Sequence, residues 1–136
     1  MVSQSIRLIN DVSDVTKMSE WIDLLAEEVG LSMEKTFQLN LAMEEAVVNV
    51  MNYAYPGQKN MPIDIEVETL DDRLCIVIDD TGVPFDPTQQ EEPDLTLSAE
   101  ERPIGGLGIM LVRQFMQEIS YEYKDGHNRL TLIMAK

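Results

Sequence analysis

The sequence predicts a protein of the α/β class, because its apolar residues follow a helical period in two regions and a strand period in three. They recur at three- and four-residue steps near residues 15–53 and 107–119, the spacing that places side chains on one face of a helix. They alternate with polar residues near 5–9, 63–68 and 119–124, which is typical of half-buried strands, and residues 73–80 are rich in Ile and Val, which predicts a more buried strand. A chain of 136 residues with 44% apolar residues is expected to form a single domain over 1–136.

The first half of the chain is expected to form a strand followed by two helices. Residues 5–9 alternate weakly and predict the first strand. The first helix is predicted between Ser13, a suitable N-cap, and Gly30, a suitable stop. The second helix is predicted from about residue 32 to about residue 53 and ends before Pro56 and Gly57.

The second half is expected to add four strands and one helix. Residues 63–68 and 73–80 predict two strands that pair as a hairpin. A third helix is predicted by an apolar stripe at helical spacing. The stripe consists of Leu107, Leu111, Phe115 and Ile119. Two last strands, near 119–124 and 129–134, are joined by Asp125 and Gly126, a hairpin turn signal.

Composition narrows the class of partner and the setting. A formal net charge of -15, from 10 basic and 25 acidic residues, argues against a nucleic-acid surface, which needs clustered Lys and Arg. No apolar run approaches the ~18 residues of a membrane span, so no membrane segment is expected. The first five residues show no secretory pattern. The single cysteine, Cys75, lies in an apolar strand, so a buried thiol and a cytoplasmic location are expected.

A polar face interrupts the apolar second helix. Glu45, Asn49 and Asn52 are four and three residues apart, so they share one face. A carboxylate there can handle a proton, and an amide oxygen can hold a hard cation such as Mg²⁺, which favours oxygen ligands. A solvated helix face has the same pattern, so the residues alone leave both interpretations open.

Asp80 and Gly82 mark the end of the strand predicted at 73–80. Strand alternation puts Asp80 on the same face as Ile78, where its carboxylate could accept a hydrogen bond from an amino group such as that of adenine. Gly82 would let a flat ring approach the backbone closely. Asp and Gly are also common where a strand turns, so a structural interpretation stays open.

A glycine-rich stretch opens the third helix. Gly105, Gly106, Leu107 and Gly108 lie at the start of the predicted apolar helix, and free N–H groups at a helix start favour phosphate. Arg102 could meet a terminal phosphate as a bidentate donor. The alternatives are a flexible hinge for the glycines and a surface charge for Arg102.

A long segment without any period separates these two stretches. It covers residues 81–103 and is rich in proline and acidic residues. A loop this long inside a compact domain is usually functional, so a lid is predicted over about residues 81–105.

Together the three stretches resemble the nucleotide-binding boxes of the GHKL ATPase superfamily, which includes gyrase and histidine kinases. The chain is most similar, from its first strand to Thr131, to the bacterial anti-sigma-factor serine kinases. The resemblance implies a Bergerat-type ATP-binding fold. This fold is an α/β two-layer sandwich with a mixed, mainly antiparallel sheet, helices on one face, and ATP between the helices and the lid.

The resemblance also implies roles on the second helix and at the strand end. Glu45 corresponds to the catalytic base and Asn49 to the magnesium ligand of the family, with Asn52 on the same face of the nucleotide site. Asp80 and Gly82 match the box in which the aspartate reads adenine.

The loop and the last strand acquire roles from the same resemblance. The box that closes the ATP lid is matched by Gly105, Gly106, Leu107 and Gly108. Arg102 lies where these kinases carry an arginine directed at the terminal phosphate, and Thr131 resembles the last-strand threonine that supports the adenine site. The chain departs from the pattern at Tyr53, where many relatives have histidine, and at Pro84, where they have glycine.

The resemblance implies an ATP-dependent serine protein kinase that acts as an anti-sigma factor and uses ATP with Mg²⁺. Its expected partners are a STAS-type anti-sigma antagonist, which it would phosphorylate, and a sigma factor. The alternative is a non-catalytic ATP-binding switch, whereas a purely structural domain would leave the glycine and Asp-x-Gly spacing unexplained. Monomer and homodimer both stay open, and a strand face rich in Ile, Val and Tyr would serve as the dimer surface.

Overall fold

The computed structural model describes residues 2–89 and 108–136, which form a five-stranded sheet with helices packed on one face. The strand order is β1-β2-β3-β5-β4. In chain order the elements are β1 (Val2–Ile9), α1 (Asp14–Val29), α2 (Met33–Tyr53), β2 (Pro62–Thr69), β3 (Arg73–Asp80), a short 3-10 turn (Pro87–Gln89), α3 (Gly108–Phe115), β4 (Glu118–Lys124) and β5 (His127–Ala135).

The predicted α/β sandwich is confirmed, with one difference in the sheet. All neighbouring strands pair antiparallel, whereas a mixed sheet was expected from the sequence. The reason is the connectivity, since β2–β3 and β4–β5 are hairpins and no helical crossover joins parallel neighbours among these strands. Asp125 and Gly126, with φ of 55° and 80°, form the predicted turn between β4 and β5.

The core lies between the helices and one face of the sheet, called here the inner face. Alternate residues of β3, from Leu74 to Asp80, are buried, and so are those of β5, from Asn128 to Met134. The largest fully buried side chains come from both layers and are Leu8, Met18, Ile22, Leu25, Leu39, Met43, Ile63, Ile65, Leu74, Ile76, Ile78 and Ile109.

The opposite face of the sheet, called here the outer face, is polar and partly exposed. Arg7 of β1 and Asp64 of β2 meet there in a bidentate pair at 2.7 and 2.9 Å. Cys75 also lies on this face and is partly exposed. The expectation of a buried thiol was therefore wrong, because Cys75 alternates with the buried Leu74 and Ile76.

The helix ends follow the predicted signals with one exception. Gly30 ends α1 in the left-handed region at φ 75°, and the Ser32 hydroxyl caps α2 by accepting the Lys35 amide at 3.1 Å. Ser13 precedes α1 but makes no capping bond, because its hydroxyl donates to Asp11 at 2.9 Å instead. In the described parts of the chain, no helix combines the length and apolar composition needed to cross a membrane.

Candidate functional site

The polar face predicted on the second helix exists, but its three residues differ in burial. Glu45 is partly exposed, Asn49 is buried, and Asn52 is exposed. The difference arises because α2 packs its centre against the sheet and α3, and its last turn projects towards solvent at Asn52. The polar face therefore runs from the core to solvent, so a ligand that enters from solvent can contact its buried polar groups.

Asn49 is the most unusual side chain of this face. It is only 1% exposed, and neither its Oδ1 nor its Nδ2 has a hydrogen-bond partner within residues 2–89 and 108–136. Leaving a buried amide without a partner costs about 1–3 kcal/mol of folding free energy. No hydrogen bond from the described residues offsets this cost. A hard cation with its bound phosphates would fit, since an amide oxygen suits Mg²⁺ and few protein ligands are needed.

Glu45 lies one helical turn before Asn49. Burial raises the pKa of its carboxyl group, and the negative charge of the neighbouring Glu44 raises it further. A carboxylate with a raised pKa is a better proton acceptor near neutral pH. The site therefore has a group suited to general-base chemistry close to the unsatisfied amide.

Asp80 ends β3 on the inner face and is 3% exposed. Its Oδ1 accepts the Gly82 amide at 2.9 Å and the Asn128 side-chain amide at 2.8 Å. Burial raises the pKa of Asp80, and these two hydrogen bonds oppose the rise. Within residues 2–89 and 108–136 nothing donates to Oδ2, so this oxygen is the acceptor left for a ligand amino group.

Gly82 lies against Ala54 of the protein on the side where a side chain would project, whereas the flat ring of a ligand was expected beside it. A Cβ added there would lie 2.1 Å from the Ala54 carbonyl oxygen and 2.8 Å from the Ala54 Cβ. The Val83 amide donates to the same Ala54 carbonyl at 2.8 Å. The glycine is thus required by the packing of the end of α2 against the end of β3, which brings the polar helix face next to Asp80.

Asn128, at the start of β5, was not singled out by the sequence analysis, yet it holds this end of the site together. It is 4% exposed, and its Nδ2 donates to Asp80 and to the Val83 carbonyl, both at 2.8 Å. Its Oδ1 accepts the Phe85 amide at 3.0 Å and also accepts the Tyr121 hydroxyl. A signal was present, because alternation from Leu130 backwards puts Asn128 on the buried face.

Thr131 does not lie beside Asp80, which corrects the prediction for the last strand. It pairs with Val77 of β3, whereas Asp80 pairs with Asn128. Thr131 therefore lies on the outer face. The position beside Asp80, which was predicted for Thr131, is occupied by Asn128. The error came from the period of two, since a residue three positions from Asn128 must point to the opposite face.

The first part of the predicted lid is a fixed stem, defined here as residues 81–89. The Thr81 amide donates to the Tyr55 hydroxyl at 2.8 Å, and Arg113 of α3 donates to the Thr88 carbonyl at 2.5 Å. Phe85 stacks on Tyr53 with ring centroids 5.1 Å apart. The stem thus contacts α2 and α3, and it contacts β5 through the bond from the Phe85 amide to Asn128.

The remaining predicted residues divide at the start of α3. Gly108 is the first residue of this helix. Arg102, Gly105, Gly106 and Leu107 lie outside the described residues, as does the predicted lid from residue 90 onward.

Comparison with known proteins gives relatives over most of the chain. A family model described as "Histidine kinase-like ATPase domain" matches residues 8–134. The chain is 32% identical over 112 residues to the serine/threonine-protein kinase BtrW of Bordetella bronchiseptica, covering 82% of this chain and 79% of that protein. It is 30% identical over 116 residues to the serine-protein kinase RsbW of Listeria monocytogenes, covering 82% and 72% respectively.

A solved structure supports the same fold. The RsbU and RsbW domains of Rv1364c from Mycobacterium tuberculosis match with a TM-score of 0.69 at 13% identity, covering 100% of this chain and 33% of that chain. At this identity the likeness concerns the fold alone. The family model and the two kinase relatives carry the assignment, and they confirm the resemblance to the GHKL anti-sigma kinases. The chain therefore belongs to the histidine kinase-like ATPase family, in which both of these relatives are named as serine or serine/threonine protein kinases.

Proposed function

We propose that this protein is a kinase that transfers the terminal phosphoryl group of ATP to a serine of a STAS-type anti-sigma antagonist and thereby acts as an anti-sigma regulatory factor. The observation that carries the proposal is the buried amide of Asn49, which has no partner in the described residues and lies one helical turn from Glu45. The choice of serine as acceptor is supported by the names of two relatives, the serine/threonine-protein kinase BtrW and the serine-protein kinase RsbW.

Asn49 is the proposed magnesium ligand. When bound, Mg²⁺ would neutralise charge on the phosphates of ATP and orient them. The described residues contain no group of three or more His, Cys, Asp or Glu that could hold a metal ion without a substrate. A single amide oxygen is therefore suited to a metal that arrives with its phosphates, as Mg²⁺ usually does.

Glu45 is the proposed general base. In the transfer step the serine oxygen forms a bond to the terminal phosphorus, the bond from that phosphorus to the bridging oxygen breaks, and ADP leaves. The hydroxyl proton goes to the Glu45 carboxylate. Its raised pKa, caused chiefly by burial, suits a group that must accept a proton near neutral pH.

Asp80 is the proposed reader of the base, with its Oδ2 accepting the amino group of adenine. Arg102 and the Gly105, Gly106, Leu107 and Gly108 stretch are proposed to bind the phosphates and to close the lid. Asn52, exposed on the last turn of α2, is proposed to contact the nucleotide from the solvent side.

A non-catalytic, ATP-gated switch is the second candidate. One observation favours it: Asn128 bonds both to Asp80 and to the backbone of the stem. Binding of a base at Asp80 would therefore alter the contacts of the stem without any phosphoryl transfer. The sigma factor as a second partner, a cytoplasmic location and a homodimer remain predictions.

Glu45→Gln separates the two candidates, and Glu44→Gln is its matched control on the exposed side of the same helix. Glu45→Gln should keep Mg-ATP binding and lose about 10²–10⁴-fold in transfer, the usual value of a general base. Glu44→Gln should lose little. The assay is phosphate incorporation into a STAS-type antagonist, with nucleotide binding measured by calorimetry with Mg²⁺ and with EDTA.

The outcomes are distinct. Equal transfer by both variants would remove Glu45 from the mechanism. No transfer by the parent protein, together with partner affinity that changes with nucleotide, would establish the switch instead of the kinase.

A further inference from the structure

The side chain of Asn128 is saturated with hydrogen bonds. Its two N–H groups go to Asp80 Oδ1 and to the Val83 carbonyl, and its oxygen accepts the Phe85 amide and the Tyr121 hydroxyl. These are all the bonds that a side-chain amide can make with two donors and two acceptor sites. Asn128 is buried, so none of its bonding capacity is left for solvent.

These partners also fix which way the amide points. In the reversed orientation the Asn128 oxygen would face the Asp80 carboxylate and the Val83 carbonyl, and its N–H groups would face the Phe85 amide. Each of those contacts would oppose like partial charges in a buried place. The amide can therefore present only an N–H to Asp80.

An N–H facing Asp80 determines what kind of ligand Asp80 can bind. A carboxylate held by two donors, from Gly82 and Asn128, stays an acceptor, and its second oxygen then suits an amino group. A protonated carboxyl could instead donate to a carbonyl oxygen. Burial favours the protonated form and raises the pKa of Asp80, whereas the Asn128 bond lowers it.

We infer that Asn128 is a positioning residue that sets the base selectivity of the site, by holding Asp80 as an acceptor and so favouring purines with a 6-amino group over purines with a 6-oxo group. The inference rests on the proposed nucleotide site and adds a residue that the sequence analysis did not assign. Asn128 acts through Asp80 and has no need to touch the nucleotide.

The test compares ATP with inosine triphosphate, which has a 6-oxo group in place of the 6-amino group. Asn128→Leu keeps the approximate shape of the side chain and removes its donors. The parent protein should prefer ATP, and the leucine variant should lose at least about tenfold of that preference, the size expected for one hydrogen bond to a charged group. Binding of both nucleotides is measured by calorimetry.

Two further variants separate selectivity from stability. Asn128→Thr keeps one hydroxyl donor for Asp80 but drops the oxygen that holds Phe85, and it should retain the ATP preference within about threefold. Tyr121→Phe removes one bond from the far side of the Asn128 amide, and it should lower stability without changing the preference. A preference that falls in proportion to lost stability in all variants would overturn the inference.

The parent protein provides a test that requires no variant to fold. The side-chain amide resonances of Asn128 should shift when ATP binds and shift much less with inosine triphosphate, because only the 6-amino group shares the Asp80 carboxylate. An equal response to both nucleotides would overturn the inference.

Failure of the proposed site gives a different result. A parent protein without any ATP preference, or an Asp80→Asn variant with the parent's preference, would show that Asp80 does not read the base. If the parent prefers ATP, Asp80→Asn loses that preference, and a folded Asn128→Leu variant still keeps it, then only the role of Asn128 is wrong.

Discussion

Asp79 and Asp80 are neighbours in the chain, but the alternation of β3 puts them on opposite faces of the sheet. On the outer face, Asp79 pairs with the His127 ring at 2.6 Å and with the Arg129 guanidinium at 2.9 Å. On the inner face, the donors to Asp80 within residues 2–89 and 108–136 are neutral N–H groups, from Gly82 and Asn128. Among these described residues, only Asp79 of the two carboxylates forms an ion pair.

This difference separates a structural carboxylate from a candidate binding group. Both oxygens of Asp79 are occupied, and the groove of about 460 Å³ that it lines on the outer face also holds the Arg7–Asp64 pair. Within that groove Arg7 is paired with Asp64, and Arg129 with Asp79. Asp80 is buried and forms no ion pair with any residue of the described ranges, which costs free energy in the free protein and leaves its second oxygen available for a ligand donor. The carboxylate oxygen of Asp80 that accepts no hydrogen bond from the described residues, more than the burial of Asp80, marks it as a candidate binding group.

The largest expected effect is on nucleotide binding. Asp80→Asn can keep both bonds to its Oδ1 but presents an N–H in place of the second oxygen. This N–H and the adenine amino group are both donors, so they should repel each other. ATP should bind more weakly by about 1.5–3 kcal/mol, or about 10- to 150-fold. Asp79→Asn, the matched control one residue away, should bind ATP as the parent does in calorimetry.

The control makes this prediction easy to contradict. Equal losses in both variants would mean that the two carboxylates act through the fold, and no loss in either would remove Asp80 from the site. Inosine triphosphate should gain affinity in Asp80→Asn alone.

The next effect is on stability as a function of pH, and its sign differs between the faces. The pKa of Asp80 is raised by burial, so its folded form binds the proton more tightly and its contribution to stability falls as pH rises from the ordinary aspartate pKa through the raised value. The pKa of Asp64 is lowered, first by its hydrogen bond from Arg7, so its contribution is present at neutral pH and is lost as pH falls through the lowered value.

Urea unfolding between acid and neutral pH measures this contrast. Asp80→Asn should remove a decline of stability with rising pH and should be at least as stable as the parent at neutral pH. Asp64→Asn should be less stable at neutral pH and should lose less on acidification. The same sign for both variants would contradict the difference between the faces.

The smallest effect is expected for the stability of Asp79→Asn. Its partners His127 and Arg129 are 45% and 46% exposed, and pairs near solvent are typically worth about 0.2–1 kcal/mol each. The free energy of unfolding should therefore fall by no more than about 1 kcal/mol for each pair, and the loss should shrink in high salt. A loss of several kcal/mol would show that the outer ion pairs are as important to the fold as the core.

The sequence specified the elements well because each has a strong local signal. The stripes and alternations located three helices and five strands in the described residues, and Gly30, Ser32 and the Asp125-Gly126 turn behave as their residue types require. The composition of α2 and the end of β3 also singled out Glu45 and Asp80 before any contact was known.

Register and contact required the folded chain. The assignment of Thr131 failed because a strand's face changes at every residue, and only the pairing of β3 with β5 puts Asn128 opposite Asp80. Gly82 was linked to a ligand because the sequence cannot show that α2 returns to place Ala54 against it.

By itself, then, the sequence determined the class of fold and the chemical types of the site, since propensity and periodicity are local. Among the residues that the structure describes, the tertiary structure decided which polar groups lack a partner, as Asn49 does, and which are already paired, as Asp79 is. That distinction depends on partners far apart in the chain, and only packing brings them together.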